Sequence, residues 1–198
     1  MSPLMLLNKS SLRVILLIVS LLSCSGCVGL VVAAATVGGV VILKGQTLSA
    51  MERDHHITTA LTRYWYKHKP PHSHLVIETY HGIVLLVGQI SNKAAAHSMV
   101  NFAHSIAGVR RVYNEITPSK TLTLARQSKD TWITAKVKSR LLTEKGLNST
   151  EIKVITSNGI VYLMGIVTPY EGKQASNSVR KIQGVKRVTV LFQYRPEQ

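Results

Sequence analysis

Cysteine is nearly absent from this chain. The only two in 198 residues are Cys24 and Cys27, both beside an apolar N-terminus, so no disulfide framework holds the body together. Acidic residues are also scarce, nine Asp and Glu against 24 Lys and Arg, for a net charge of +15. Carboxylates this sparse nominate no acid/base pair. Gly-x-Ser-x-Gly, His-Glu-x-x-His and a phosphate-cradling glycine loop are all missing, so no catalytic role is expected. From Val14 to Leu43 there is no charge of either sign, and the first acidic residue is Glu52.

The basic excess points to an anionic partner, with nucleic acid and anionic lipid headgroups as the two chemical candidates. The N-terminus separates them. Lys9 and Arg13 precede a nine-residue stretch, Val14 to Leu22, that is apolar but for one Ser and is followed by small residues. This is the pattern of an export signal, expected to occupy residues 1–23. Leu21-Leu22-Ser23-Cys24 resembles a bacterial lipobox, with Leu three residues before the cysteine and a small residue immediately before it. Cys24 is therefore the expected lipidation site. Cys27 is the alternative, with Ser25 and Gly26 well placed but Cys24 poorly suited at the third position upstream.

Other uses of Cys-x-x-Cys fit less well. A redox pair opens a helix inside a folded βαβ unit, and zinc needs about four ligands. The apolar run from Val28 to Leu43 has 16 residues, short of the roughly 20 a membrane span requires. Residues 24–50 are expected to form the lipidated cysteine and an apolar Gly/Ala/Val tether. An exported protein is not expected to bind nucleic acid.

The body of the chain is duplicated. Asp54 to Ala60 matches Asp130 to Lys136 at an offset of 76. His81-Gly82-Ile83-Val84-Leu85-Leu86-Val87-Gly88 matches Asn158-Gly159-Ile160-Val161-Tyr162-Leu163-Met164-Gly165 at 77. Ile106 to Val112 matches Ile182 to Val188 at 76 again. A period this long is a repeated domain, not a solenoid unit.

Each copy predicts the order αββαβ, an α+β fold in which two helices cover a small three-stranded sheet. In copy one, Ser49-x-x-Glu52 predicts a capping box and a helix to about Tyr66. In copy two the matching helix is expected from about Asp130 to Leu142. Hairpins follow, Leu75–Thr79 with Ile83–Ile90 around His81-Gly82, and Ile152–Thr156 with Ile160–Val167 around Asn158-Gly159. Thr168-Pro169-Tyr170-Glu171 supplies an N-cap, a proline at N1 and a capping-box Glu. The second helices are expected to stop on left-handed glycines at Gly108 and Gly184. Strands at Arg110–Ile116 and Val185–Tyr194 close the copies. The first domain is expected at 51–117, a polar linker at 118–127 and the second domain at 128–195.

Asn158 to Gly165, with its Asn-Gly-Ile-Val-x-Leu-x-Gly hairpin, and the ending Ile182 to Val188 resemble the BON domain (bacterial OsmY and nodulation domain). The resemblance covers about Met51 to Tyr194. With a lipobox and two copies, the chain is similar to dual-BON lipoproteins of Gram-negative bacteria. This implies an acylated, periplasm-facing outer-membrane lipoprotein that binds anionic phospholipid through its second BON domain and supports envelope integrity. Its implied protein partners are outer-membrane assembly or division-site envelope proteins. No cofactor is implied.

On a helical wheel with Trp132 at 0°, Ile133, Val137 and Leu141 fall at about 100°, 140° and 180° and form a core stripe. Lys136, Lys129 and Arg140 fall at about 40°, 60° and 80°. Trp132, Lys129, Lys136 and Arg140 are therefore the candidate phospholipid-binding residues: an indole suited to the headgroup level, ringed by cations. The competing reading is a Trp packed at the core edge beside a solvated row of lysines. His56 stands where the second copy has Trp132, so lipid contact is not carried over to copy one.

All eight His lie between His55 and His104. His55-His56 and His72-x-His74 invite a metal reading. Their surroundings hold no Cys and few acids, and ordinary exposed histidine is expected instead, with no metal site. Tyr64-Trp65-Tyr66-Lys67-His68-Lys69 is either a second interfacial contact or a helix end. The alternative function is a protein-interaction scaffold that docks to an envelope assembly factor or a cell-wall component.

Overall fold

A computed structural model describes residues 48–196. The expected signal peptide, the candidate lipidation sites Cys24 and Cys27, and nearly all of the tether lie outside these residues. The first repeat runs α1 (Leu48–His68), β1 (His74–Tyr80), β2 (Ile83–Gln89), α2 (Lys93–Ser105) and β3 (Arg111–Thr117). The second runs α3 (Leu124–Thr143), a 3₁₀ turn (Ser149–Glu151), β4 (Ile152–Ser157), β5 (Ile160–Val167), α4 (Pro169–Arg180) and β6 (Arg187–Tyr194). Each repeat is αββαβ around a three-stranded sheet ordered β1-β2-β3 or β4-β5-β6. The hairpin strands pair antiparallel, Tyr80 opposite Ile83 and Ser157 opposite Ile160. The last strand returns parallel to the middle one. No helix among the described residues is long and apolar enough to cross a membrane.

One carboxylate per repeat ties the first helix to the hairpin. Residues spaced by about one helical turn put Asp54, Ile57, Leu61 and Trp65 on the buried side of α1, and Asp130, Ile133, Val137 and Leu141 on that of α3. The hairpin turns hold two successive residues at positive φ, His81 (50°) with Gly82 (74°) and Asn158 (52°) with Gly159 (78°). That is the twist a two-residue hairpin needs, and a glycine takes the second position without steric cost. Such turns leave backbone N–H groups pointing outward. Asp54 accepts those of His81 (2.6 Å) and Gly82 (2.7 Å). Asp130 accepts those of Asn158 (2.7 Å) and Gly159 (2.8 Å). The matched position was visible in the repeat alignment, but its role depends on the turn and helix end meeting in space.

Several boundaries differ from expectation. Helix α3 starts at Leu124, not near Asp130, because the Thr123 side chain accepts the Arg126 N–H and caps it there. Arg126 then donates from Nε and Nη2 to the Asn158 side chain and carbonyl, both at 3.1 Å. The linker read at 118–127 is shortened accordingly. Ser49 lies inside α1, which already includes Leu48, so the expected capping box at Ser49 does not start that helix. Helices α2 and α4 end at Ser105 and Arg180, before Gly108 and Gly184. These glycines have φ of 89° and 98° and sit in the turns that follow. A Cβ on Gly184 would lie 3.2 Å from Ile133 Cδ1, so this turn needs its bare backbone to let α3 pass. The capping box at Thr168 and Glu171 is formed as expected.

The sheets are buried on both faces. Alternate residues of the middle strands, Val84 and Leu86 in β2 and Val161 and Leu163 in β5, point into the helix-covered cores. The intervening residues meet one another: Leu85 and Val87, with Tyr80 and Ile83, pack with Tyr162, Met164, Ile155 and Leu191. Both repeats belong to one compact unit, stacked sheet against sheet with the helices outermost. Polar pairs border this interface. Lys153 of β4 is ion-paired with Glu78 of β1 and donates to the Thr79 carbonyl at 3.2 Å. Gln89 Nε2 donates to Ser157 Oγ at 3.3 Å. Tyr162 donates its hydroxyl to Glu115 at 3.2 Å, and Arg187 lies 3.9 Å from the same carboxylate.

Two predictions follow from these contacts. Asp130→Ala strands two N–H groups that now meet a charged acceptor, that of Gly159 buried and that of Asn158 partly so, and should lower the unfolding free energy by roughly 3 kcal/mol in urea titration. Burial, reinforced by the Glu115 charge, pushes the Tyr162 hydroxyl up from 10.0 to about 12. Between those values the unfolded chain releases this proton while the folded protein keeps it, so stability falls as pH rises. Tyr162→Phe should flatten that part of the stability profile in melts recorded from pH 9 to 12.

Candidate functional site

Helix α3 is held by its buried stripe, so the rest of its surface has a fixed direction. Ile133 and Val137 are fully buried and Leu141 nearly so. Trp132 is turned off that stripe and is 47% exposed, a large share for a residue of its size. Its ring edge lies beside the Gly184 turn, where an added Cβ would be 3.8 Å from Cζ3. One turn on, Lys136 places its ammonium 3.7 Å from the indole centroid. At an exposed site this cation–π contact contributes about 0.5–1 kcal/mol, enough to bias the two side chains to move as a unit.

Lys129 is exposed, on the turn before Trp132, with no hydrogen-bond or ionic partner among the described residues. Arg140 differs from the other cations. It is exposed but ion-paired at 3.2 Å with Glu144, four residues along. Glu144 also accepts the Ser178 hydroxyl at 2.6 Å from α4. That hydrogen bond, followed by the charge of Arg140, holds the Glu144 carboxyl below its ordinary range against the opposing effect of desolvation. Trp132, Lys129 and Lys136 thus form an exposed basic and aromatic face, while Arg140 belongs to the junction between α3 and α4.

That junction was not anticipated. Tyr170, Lys173, Asn177 and Lys181 recur at helical spacing along α4 and its C-cap, and with Arg140 and Glu144 they line a groove of about 320 Å³. Tyr170 is 65% exposed. The i, i+3, i+7, i+11 stripe was legible in the sequence, but its apposition to Arg140 was not.

The first repeat lacks the equivalent face. His56 is exposed at the position of Trp132, and Ala60 stands at that of Lys136. The aromatic cluster at the end of α1 divides: Trp65 is buried in the core, Tyr64 stacks on Phe102, and only Tyr66 is strongly exposed, at 74%. Trp65 is therefore a packing residue, set at the position of Leu141. Among the described residues no three of His, Cys, Asp and Glu gather into a group that could hold a metal. His68 donates from Nδ1 to the Tyr64 carbonyl at 2.8 Å.

Residues 53–118 and 129–196 each match the family described as the BON domain. Over 116 residues the chain is 40% identical to the outer membrane lipoprotein DolP of Haemophilus influenzae, covering 59% of this chain and 60% of that one. It is 37% identical over 118 residues to a 21 kDa hemolysin of Actinobacillus pleuropneumoniae, covering 60% and 61%. It is 29% identical over 115 residues to osmotically-inducible protein Y of Escherichia coli, covering 57% of each. The aligned segment spans about three fifths of each of these relatives.

Proposed function

Because this chain belongs to the BON-domain family, with two copies of the domain, we propose that it is an outer-membrane lipoprotein whose second repeat docks on anionic phospholipid at the periplasmic face. In this role it supports outer-membrane integrity without catalysing a reaction. The observation that carries the reading is the half-exposed Trp132 with Lys136 stacked on it, on a helix whose other side is anchored in the core. An indole partitions to the headgroup level, and each nearby Lys or Arg contributes about 1 kcal/mol against an anionic surface. Acylation at Cys24, or alternatively Cys27, makes the encounter local, so a patch of modest affinity is sufficient. The likeness to a relative named as an outer membrane lipoprotein supports the same placement.

The test uses the full chain in nanodiscs whose acyl chains carry bromine at a shallow position. Anionic discs should quench the emission of Trp132, leaving that of buried Trp65. Discs of uncharged phosphatidylcholine should quench it much less. Lys129→Gln with Lys136→Gln should cut the difference between the two discs several-fold, since about 2 kcal/mol of attraction is removed. Equal emission from both discs would sink the docking assignment.

A further inference from the structure

In the first repeat an edge strand borders a groove that the second repeat fills. β3 ends the order β1-β2-β3, so β2 is its single neighbour in the sheet. The Ile90 N–H donates to the Thr117 carbonyl, which turns the odd-numbered residues of β3 towards β2. The backbone groups of Val112, Asn114 and Ile116 therefore face outward, with no further strand beside them among the described residues. The Ile116 N–H donates to Asn114 Oδ1 at 3.1 Å, a side-chain substitute for a strand partner. Val112 and Asn114 remain as a short ladder on which another chain can pair.

On the helix-covered side of this edge lies a groove of about 290 Å³, walled by Lys93, Ala96 and His97 of α2 and by Asn114, Ile116 and Pro118. Seventy-six positions later, Ala96, Ile116 and Pro118 become Gly172, Phe192 and Tyr194. There the space is taken by rings. A Cβ on Gly172 would lie 3.0 Å from Tyr194 Cε1 and 3.1 Å from Phe192 Cδ2. The same fold thus seats aromatic side chains at this place when the strand supplies them, and β3 supplies none.

The wall is basic. Lys93 and His97 are exposed one helical turn apart, with no hydrogen-bond or ionic partner among the described residues. Lys93 stands in the first turn of α2, which holds no acid, so its charge adds to the positive end of the helix dipole. No carboxylate lines the groove. Glu115 is turned to the other face of the sheet, where it meets Tyr162 and Arg187.

We propose that the β3 edge of the first repeat receives an extended, acidic segment of a partner protein as a fourth strand. One aromatic side chain of that segment enters the groove between α2 and β3, and a neighbouring carboxylate meets Lys93 and His97. The backbone ladder supplies affinity and the groove supplies selectivity. An acyl chain would fill the apolar space but leave the ladder unmet. A second copy of this chain, at a net charge of +15, is repelled by the basic wall. The site is on the first repeat and does not depend on lipid docking by the second.

The test uses the full chain in uncharged phosphatidylcholine nanodiscs and a synthetic heptapeptide, Thr-Asp-Thr-Phe-Thr-Asp-Thr, capped at both ends. Alternation puts its ring and both carboxylates on one face in either strand direction. The peptide should slow amide hydrogen exchange at Val112 and Asn114. Replacing its Phe by Ala should weaken binding about ten-fold or more, as loss of a buried ring requires. Replacing both Asp by Asn should weaken it several-fold, and so should Lys93→Gln with His97→Gln in the protein. The triple variant Ala96→Gly, Ile116→Phe and Pro118→Tyr copies the filled groove of the second repeat and should abolish binding. If that variant does not fold, the Phe-to-Ala peptide and the Lys93 and His97 substitutions decide. Equal binding of the Phe and Ala peptides, or binding without protection of Val112 and Asn114, would overturn the proposal. Protection of these amides by anionic discs without peptide, or by raising the protein concentration alone, would overturn it in favour of lipid or of a second copy.

Discussion

A three-stranded sheet has two faces, and each repeat supplies helices for only one. Leu85 and Val87 in the first repeat, and Tyr162 and Met164 in the second, would lie in water on an isolated domain. Duplication resolves this by setting the two bare faces against each other, which buries the middle strands on both sides. This contact turns all four helices outward, while the exposure of Trp132 is set by the packing of α3 on its own repeat's core.

The pairing is between unlike surfaces. Glu78 and Glu115 come from the first repeat, Lys153 and Arg187 from the second. In the aligned copy, Ile155 and Leu191 stand at the positions of the two acids, and Val76 at that of Lys153. Arg111 already stands at the position of Arg187, so two first-repeat sheets would keep an arginine near Glu115 but lack Lys153, while two second-repeat sheets would bring Lys153 and Arg187 together with neither acid. The Lys153–Glu78 ion pair therefore forms only between unlike repeats and favours that pairing.

The duplication, the strand order and both hairpins were legible because they rest on local signals: period-two apolar runs, turn dipeptides and the matched blocks. The start of α3 was not, because it is fixed by Thr123 and by Arg126 reaching Asn158, 32 residues away. The inter-repeat face also leaves its mark on the sequence. Ile83-Val84-Leu85-Leu86-Val87 does not alternate with polar residues, which is how a strand buried on both sides reads. Of the candidate site, the outward direction of Trp132 and Lys136 follows from helical spacing. The tethering of Arg140 by Glu144 was visible as an i, i+4 pair, but Ser178 joins them only through the packing of α4 on α3.

Four layers stacked as helix, sheet, sheet, helix give the molecule opposed outer surfaces. In the docked state proposed above, α1 and α2 would stand off the bilayer by the thickness of two sheets, about 10 Å between the sheets alone. Tyr66 and the histidines at 55 and 56 are carried on that raised side. The repeat at the second position thus carries the Trp132 face on one side of the described residues and the first repeat carries Tyr66 on the opposite side, so a substitution on one face leaves the chemistry of the other untouched.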